Sequence, residues 1–132
     1  MIKHAACLVI VTILTVTAMA QQKVNRKALM KEEFGVRLVS KVQVMEITME
    51  PLQKAGLHKH PCPVFGYVAE GILLFEVKGE EPKTIKKGEA FYEPANSLIV
   101  HFDNKSDTAS LKFIAYYLTN GEKDLVEMFN GK

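Results

Sequence analysis

The sequence has no tryptophan and no large excess of charge of either sign. Among 132 residues, 17 lysines and arginines oppose 15 acidic residues, which gives a formal net charge of +2. We therefore predict no nucleic-acid partner, because such a partner requires a strongly basic surface. No motif recurs at the period of a solenoid, so a repeat protein is not expected. The composition, 48% hydrophobic and 24% charged, is typical of one globular domain.

A hydrophobic run occurs at the N terminus. Lys3 precedes an apolar run over residues 5–16, and Ala18-Met19-Ala20 follows with the small residues that signal peptidase recognises. We predict a signal peptide over residues 1–20 and an exported protein, periplasmic or secreted. The alternative is a membrane anchor, but the run is shorter than the roughly 20 residues that a spanning helix needs. After cleavage we expect no stable membrane insertion.

Cysteine is scarce. Of the two cysteines, Cys7 lies in the predicted signal peptide, so Cys62 is alone in the mature chain. An exported chain with one cysteine forms no intramolecular disulfide. The fold must therefore be stabilised by its hydrophobic core, and a domain of this size buries roughly two thirds of its unfolded surface.

The pattern after the signal peptide predicts an all-β domain. Residues 21–35 form a polar N-terminal segment. Over residues 36–120, short runs rich in β-branched and aromatic residues alternate with turn signals, at the spacing of a sandwich or barrel.

Helical spacing occurs only near the C terminus. Leu125, Val126 and Phe129 share one helical face within residues 122–129. We therefore predict a short C-terminal helix or tail over residues 121–132.

Three histidines remain after processing, and two of them form a His-x-His motif. In an extended strand, His58 and His60 point to the same side, because alternate side chains share a face. Two imidazoles about 6–7 Å apart along the chain can share one metal ion. The alternative is a pair of solvated histidines at a strand end, and the motif alone favours neither.

The surrounding residues resemble the cupin superfamily. Residues 56–61 (GLHKHP) with 66–71 (GYVAEG) are similar to the first cupin motif, and residues 88–96 (GEAFYEPAN) to the second. The resemblance is to small single-domain cupins of type 2. It implies a jelly-roll β-barrel with a metal or ligand site in its mouth, and because cupins commonly pair through edge strands, it makes Val42–Ile47 a candidate for homodimer formation.

The chain departs from the metal-binding cupin pattern at two ligand positions. The resemblance implies two histidines and a carboxylate from the first motif, and a third histidine from the second. The carboxylate position falls at Val64, or at Phe65 with the longer spacing, and the histidine position at Ile99. None of these side chains binds metal. The glycine of the second motif is replaced by Asn96, which tolerates a positive φ.

Two residues are candidates to complete a metal site with His58 and His60. His101 lies two residues after Ile99, so in a regular strand it faces the same side. Cys62 continues the alternation if the chain stays extended through Pro61 and Pro63, and a thiolate binds zinc or iron well. The alternatives are an ordinary surface or lumen histidine and a small buried cysteine.

The resemblance implies a small exported cupin that binds a small molecule. We expect a ligand pocket that includes Val64, Tyr67, Glu93 and Ile99, and a divalent metal ion held through His58 and His60. The alternative is a metal-dependent cupin enzyme of oxygenase or isomerase type. The cupin fold serves many reactions, so fold alone does not choose between them.

Overall fold

A computed structural model describes residues 23–130; the predicted signal peptide over residues 1–20 lies outside them. Within this part the chain is all-β and contains no helix. The strands are β1 (Lys41–Met49), β2 (His58–Lys59), β3 (Val64–Glu70), β4 (Ile72–Val77), β5 (Lys83–Lys86), β6 (Ala90–Glu93), β7 (Ile99–Asn104), β8 (Leu111–Thr119) and β9 (Glu127–Met128).

The strands form two sheets, in the jelly-roll arrangement that the sequence predicts. One sheet has the order β1-β8-β3-β6 and the other β5-β4-β7-β2-β9. Neighbouring strands are antiparallel in both sheets. Alternate side chains of each strand enter the space between the sheets, as the burial of β3 and β8 shows. The core therefore consists of the inner faces of the two sheets.

Phenylalanine rings fill the centre of this core. Phe91 packs against Phe102 and Phe113, with ring centroids 5.2 and 5.8 Å away. Gly66, opposite Phe91 on β3, makes room for the ring, because a Cβ at this position would overlap it. The absence of a side chain at Gly66 is thus a packing requirement.

A β-bulge in β7 changes which side chains face inward. His101 pairs with Glu76 and Ile99 with Val77, so Val100 is an extra residue between two consecutive partners on β4. An extra residue reverses the alternation of side chains along a strand. Ile99 and Phe102 are consequently both buried, while His101 between them is only partly covered.

The predicted C-terminal helix is wrong. Residues 122–126 form an irregular segment, and β9 follows, pairing with β2 through Met128 opposite His58 and Glu127 opposite Lys59. A helix of about eight residues is marginal because its first turn is costly to form. Backbone hydrogen bonds to β2, including one from Phe129 N to Leu57 O at 2.8 Å, provide an alternative.

The N-terminal segment has no regular structure between residues 23 and 40. Phe34 packs edge-on against Phe65, with centroids 5.5 Å apart, and Arg37 forms an ion pair with Glu122. No helix among residues 23–130 has the length and hydropathy needed to cross a membrane. β1 is an edge strand whose Val42 and Val44 are exposed, and the homodimer through this strand stays a prediction.

Candidate metal centre

His58 and His60 lie side by side in the mouth of the barrel. His58 lies in β2 and His60 directly follows it, and their ring centroids are 5.1 Å apart. Both are buried, at 5% and 6% exposure. Lys59 between them pairs with Glu127 at 3.1 Å instead. Backbone bonds fix the end of this segment, since Asn96 N donates to His60 O at 2.7 Å, and Asn96 has the positive φ (61°) that its type tolerates.

Both imidazoles donate Nδ1–H to a backbone carbonyl. His58 Nδ1 lies 2.8 Å from Gly56 O, and His60 Nδ1 lies 2.5 Å from Leu125 O. A carbonyl only accepts, so these contacts assign the proton to Nδ1. In the neutral form of each ring Nε2 then carries the lone pair, and this is the form in which histidine binds a metal.

Glu93 provides a carboxylate to the same place. It is buried at 3% exposure, at the end of β6, and its Oε2 lies 2.5 Å from His60 Nε2. Glu93 is the cross-strand partner of Val64, the position where the sequence pattern lacks its carboxylate. Directly opposite residues of an antiparallel pair project to the same side. The carboxylate therefore enters from the neighbouring strand.

The electrostatics of His60 are set by two opposing causes. Burial lowers the pKa of His60, while the adjacent Glu93 carboxylate and the carbonyl of Leu125 raise it, and the net effect is a pKa above 6.5. Oε2 of Glu93 is fully buried and, despite the close Nε2, accepts no well-aligned hydrogen bond from the protein. A buried carboxylate oxygen in this state is suited to bind a cation.

The three side chains fit a divalent metal ion. One ligand atom from each of His58, His60 and Glu93 lies within 4.8 Å of the other two. Ligand distances of about 2.0–2.2 Å around zinc require such convergence, with small adjustments of the side chains. Two imidazoles and one carboxylate form a set typical of non-haem iron and of catalytic zinc.

A cavity of about 240 Å³ adjoins the two histidines. Its walls are largely apolar and include Ile47, Phe102, Phe113, Val126 and Met128. The last two belong to the C-terminal segment, which therefore closes part of the mouth. A ligand in this cavity would lie against both imidazoles.

The structure does not bring Cys62 or His101 into this group of ligand atoms. The chain bends at Pro61 and Cys62, the Cys62 thiol is enclosed in the core, and it is not one of the converging ligand atoms. Burial and the charge of Glu122 raise the pKa of the thiol, which disfavours the thiolate. His101 is turned outward by the bulge at Val100 and donates Nδ1–H to Asp103 Oδ2 at 2.8 Å.

The residues expected to line the ligand pocket come from both sheets, and only some of them face inward. Val64 and Ile99 are fully buried beside the metal ligands, and Ile99 is the cross-strand partner of His58. They pack in the core without lining the 240 Å³ cavity. Tyr67 is half-buried and alternates with inward-facing Gly66 and Val68, so it lies on the outer face.

Sequence reasoning placed Glu93 at the barrel mouth but not among the metal ligands. The feature that identifies Glu93 as a ligand is its position opposite Val64. This position can be recognised only when the register between β3 and β6 is known. The carbonyl of Leu125 was missed altogether, because the segment that carries it was expected to be helical. Backbone acceptors leave no signature in residue type.

The sequence family matches the geometry. The cupin domain family covers residues 45–117, more than half of the chain. The chain belongs to the cupin domain family. No curated protein sequence matches it.

Several solved structures share the fold at low sequence identity. A cupin-like protein from Thermotoga maritima is 23% identical, with a TM-score of 0.57 over 67% of this chain and 64% of that one. An oxalate oxidase in complex with the substrate analogue glycolate is 19% identical, with a TM-score of 0.55 over 66% and 45%. A DMSP lyase structure is 19% identical, with a TM-score of 0.59 over 69% and 45%. The chain thus spans less than two thirds of each of these proteins.

Proposed function

We propose that this cupin binds a divalent metal ion through His58, His60 and Glu93, and a small molecule in the adjoining cavity. The observation that carries the proposal is the convergence of three ligand atoms within 4.8 Å. Both Nδ1 atoms are already engaged by carbonyls, which leaves each Nε2 available to a metal. When bound, the ion would supply Lewis acidity beside the cavity.

Metal analysis tests this proposal. Untagged protein purified without chelator should contain close to one equivalent of a divalent metal, and calorimetry with Zn²⁺ or Mn²⁺ should show one site. His60→Ala should abolish that site, whereas His101→Ala, the matched control, should leave it unchanged because His101 faces outward. A chain that binds no divalent ion, or equal losses in both variants, would refute the proposal.

A metal-dependent enzyme of oxygenase or isomerase type is the second candidate. The donor set favours it, because two imidazoles and one carboxylate leave coordination positions open for substrate or water. Both histidines line the cavity, so an open position is accessible to a bound molecule. Oxygen consumption or isomerisation by the metal-loaded protein, lost in His60→Ala and retained in His101→Ala, would support an enzyme.

We further propose that the protein is exported and acts in the periplasm or outside the cell. The support is the run over residues 5–16 and the Ala18-Met19-Ala20 sequence that follows it. N-terminal sequencing of protein from the native host tests the cleavage. A mature chain that begins at Gln21 supports the proposal, and a retained Met1 contradicts it.

A further inference from the structure

We infer that the 240 Å³ cavity takes a small amphipathic monoanion, with one anionic group directed at the metal centre and a compact apolar body against the walls. This inference rests on the proposed function, since it assumes an ion at His58, His60 and Glu93. It adds the charge, the polarity and the size of the ligand.

The polarity follows from the walls of the cavity. Ile47, Met49, Phe102, Phe113, Val126 and Met128 cover most of it, and the polar side chains are the two histidines, Thr48, Gln53 and Tyr117. No lysine, arginine, aspartate or glutamate lines the cavity among the described residues. Lys59 projects elsewhere and its ammonium pairs with Glu127. An apolar body is therefore stabilised here, and a charged group away from the metal finds no oppositely charged side chain among the lining residues.

The charge follows from the ligands of the ion. A divalent cation carries two positive charges, and the Glu93 carboxylate neutralises one of them. One monoanionic group then makes the buried centre neutral. A second carboxylate on the ligand would face the apolar walls, where an unpaired charge is strongly disfavoured. A cation would meet the positive centre without any lining carboxylate to offset it.

The size follows from the volume. One water molecule takes up about 30 Å³ in the liquid, so 240 Å³ corresponds to roughly eight non-hydrogen atoms. Hexanoate has this size and one negative charge. Succinate has the same number of non-hydrogen atoms and two charges, and heptan-1-ol has the same number and none. These three compounds vary charge at constant size.

Calorimetric titration of protein loaded with Zn²⁺, with its metal content measured first, tests the inference. Hexanoate should bind more than about tenfold more tightly than succinate or heptan-1-ol, because only hexanoate neutralises the centre without burying a free charge. From propanoate to hexanoate the affinity should rise about fourfold per methylene. The gain per methylene should fall beyond hexanoate, where the chain extends past the cavity towards the exposed Val126 and Met128.

A charge placed in the wall should change the preference. Met128 is 55% exposed and lines the cavity, so Met128→Lys adds a cation without disturbing the core. This variant should improve succinate relative to hexanoate by about tenfold or more. Val44→Lys, at a similarly exposed position on β1 outside the cavity, is the matched control and should leave the ratio unchanged.

The outcomes separate the inference from the function on which it rests. Protein that takes up no Zn²⁺ overturns both. Protein that holds one Zn²⁺ but binds succinate or heptan-1-ol as tightly as hexanoate, or shows no saturable binding of any of the three, overturns the inference alone. The same holds if Met128→Lys and Val44→Lys shift the ratio equally.

Discussion

Replacing Glu93 by glutamine should weaken metal binding by more than about 100-fold. The substitution keeps the shape of a side chain that is buried at 3% exposure and removes its negative charge. Even partners that only orient a metal ligand contribute roughly 10–100-fold to affinity. A carboxylate whose oxygen lies among the ligand atoms should exceed that range, which corresponds to more than about 2.7 kcal/mol.

The pH dependence gives a second readout of the same variant. Protons and metal compete for Nε2 of His60, so metal affinity rises with pH until the pKa of His60 is passed. The pKa of His60 is raised because Glu93 outweighs burial; in Glu93→Gln burial is opposed chiefly by the Leu125 carbonyl, and the pKa falls. The pH midpoint of metal binding should therefore shift downward in the variant.

The metal-free protein should show the same linkage in its stability. A folded-state pKa above the unfolded value of about 6.5 contributes stability that is present below that pH and lost as the pH rises through the folded pKa. Glu93→Gln should remove this contribution, as chemical denaturation at several pH values would show.

Calorimetric titrations of the parent, Glu93→Gln and Glu76→Gln between pH 5.5 and 8.5 check the affinity and the pH midpoint. Glu76→Gln is the control, because its carboxylate lies 3.8 Å from the outward-facing His101 Nε2. It should change neither quantity. A Glu93→Gln variant that binds metal as tightly as the parent, with the same pH midpoint, would refute the assignment of Glu93.

Three further predictions concern the barrel. Gly66→Ala should destabilise the fold by about 3 kcal/mol or more, measured by urea denaturation, because the new Cβ overlaps the Phe91 ring. The pKa of Tyr117 is raised to about 12 by burial and by the charges of Glu93 and Cys62. About 3 kcal/mol of stability, present below pH 10, should therefore be lost between pH 10 and 12, and Tyr117→Phe should reduce that loss. Asn104→Ala should lower the free energy of unfolding by about 3 kcal/mol, measured by thermal or urea denaturation. The Asn104 side chain donates hydrogen bonds to the carbonyls of Glu50 and Ala109 and accepts one from Ser106 N. A loss below about 1 kcal/mol would contradict that role.

Period-two patterns predicted much of the β-structure because burial alternates in regular strands. Met49 is buried and Ile47 half-buried on β1, as one shared face requires, although Met45 remains exposed at the edge. The C-terminal helix was predicted wrongly because local spacing carries no information about pairing with a distant strand. Leu125, Val126 and Phe129 have helical spacing, but the strand partner of this segment, β2, lies over sixty residues away in sequence.

The candidate site was predictable only in part. Regular alternation placed His58 and His60 on one side, whereas the bulge at Val100 has no marker in the residue pattern and the bend at Cys62 is marked only by its two flanking prolines. Both irregularities interrupt a regular strand, and both fall at or beside the residues that were proposed to complete the site. The assignment of the carboxylate required the register between Val64 and Glu93, a pairing across 29 residues of chain.

The two groups of ligands come from different sheets. His58 and the adjoining His60 belong to the β2 side of the five-stranded sheet, and Glu93 ends β6 of the four-stranded sheet. An ion bound at this centre would connect the two sheets, because its ligands come from both. The sheets could then separate only after the ion is released. The free energy of unfolding of the metal-loaded protein should then rise with the logarithm of the metal concentration, by about 2.7 kcal/mol when the free ion is 100 times its Kd. Chelation would remove this connection between the sheets without changing any strand.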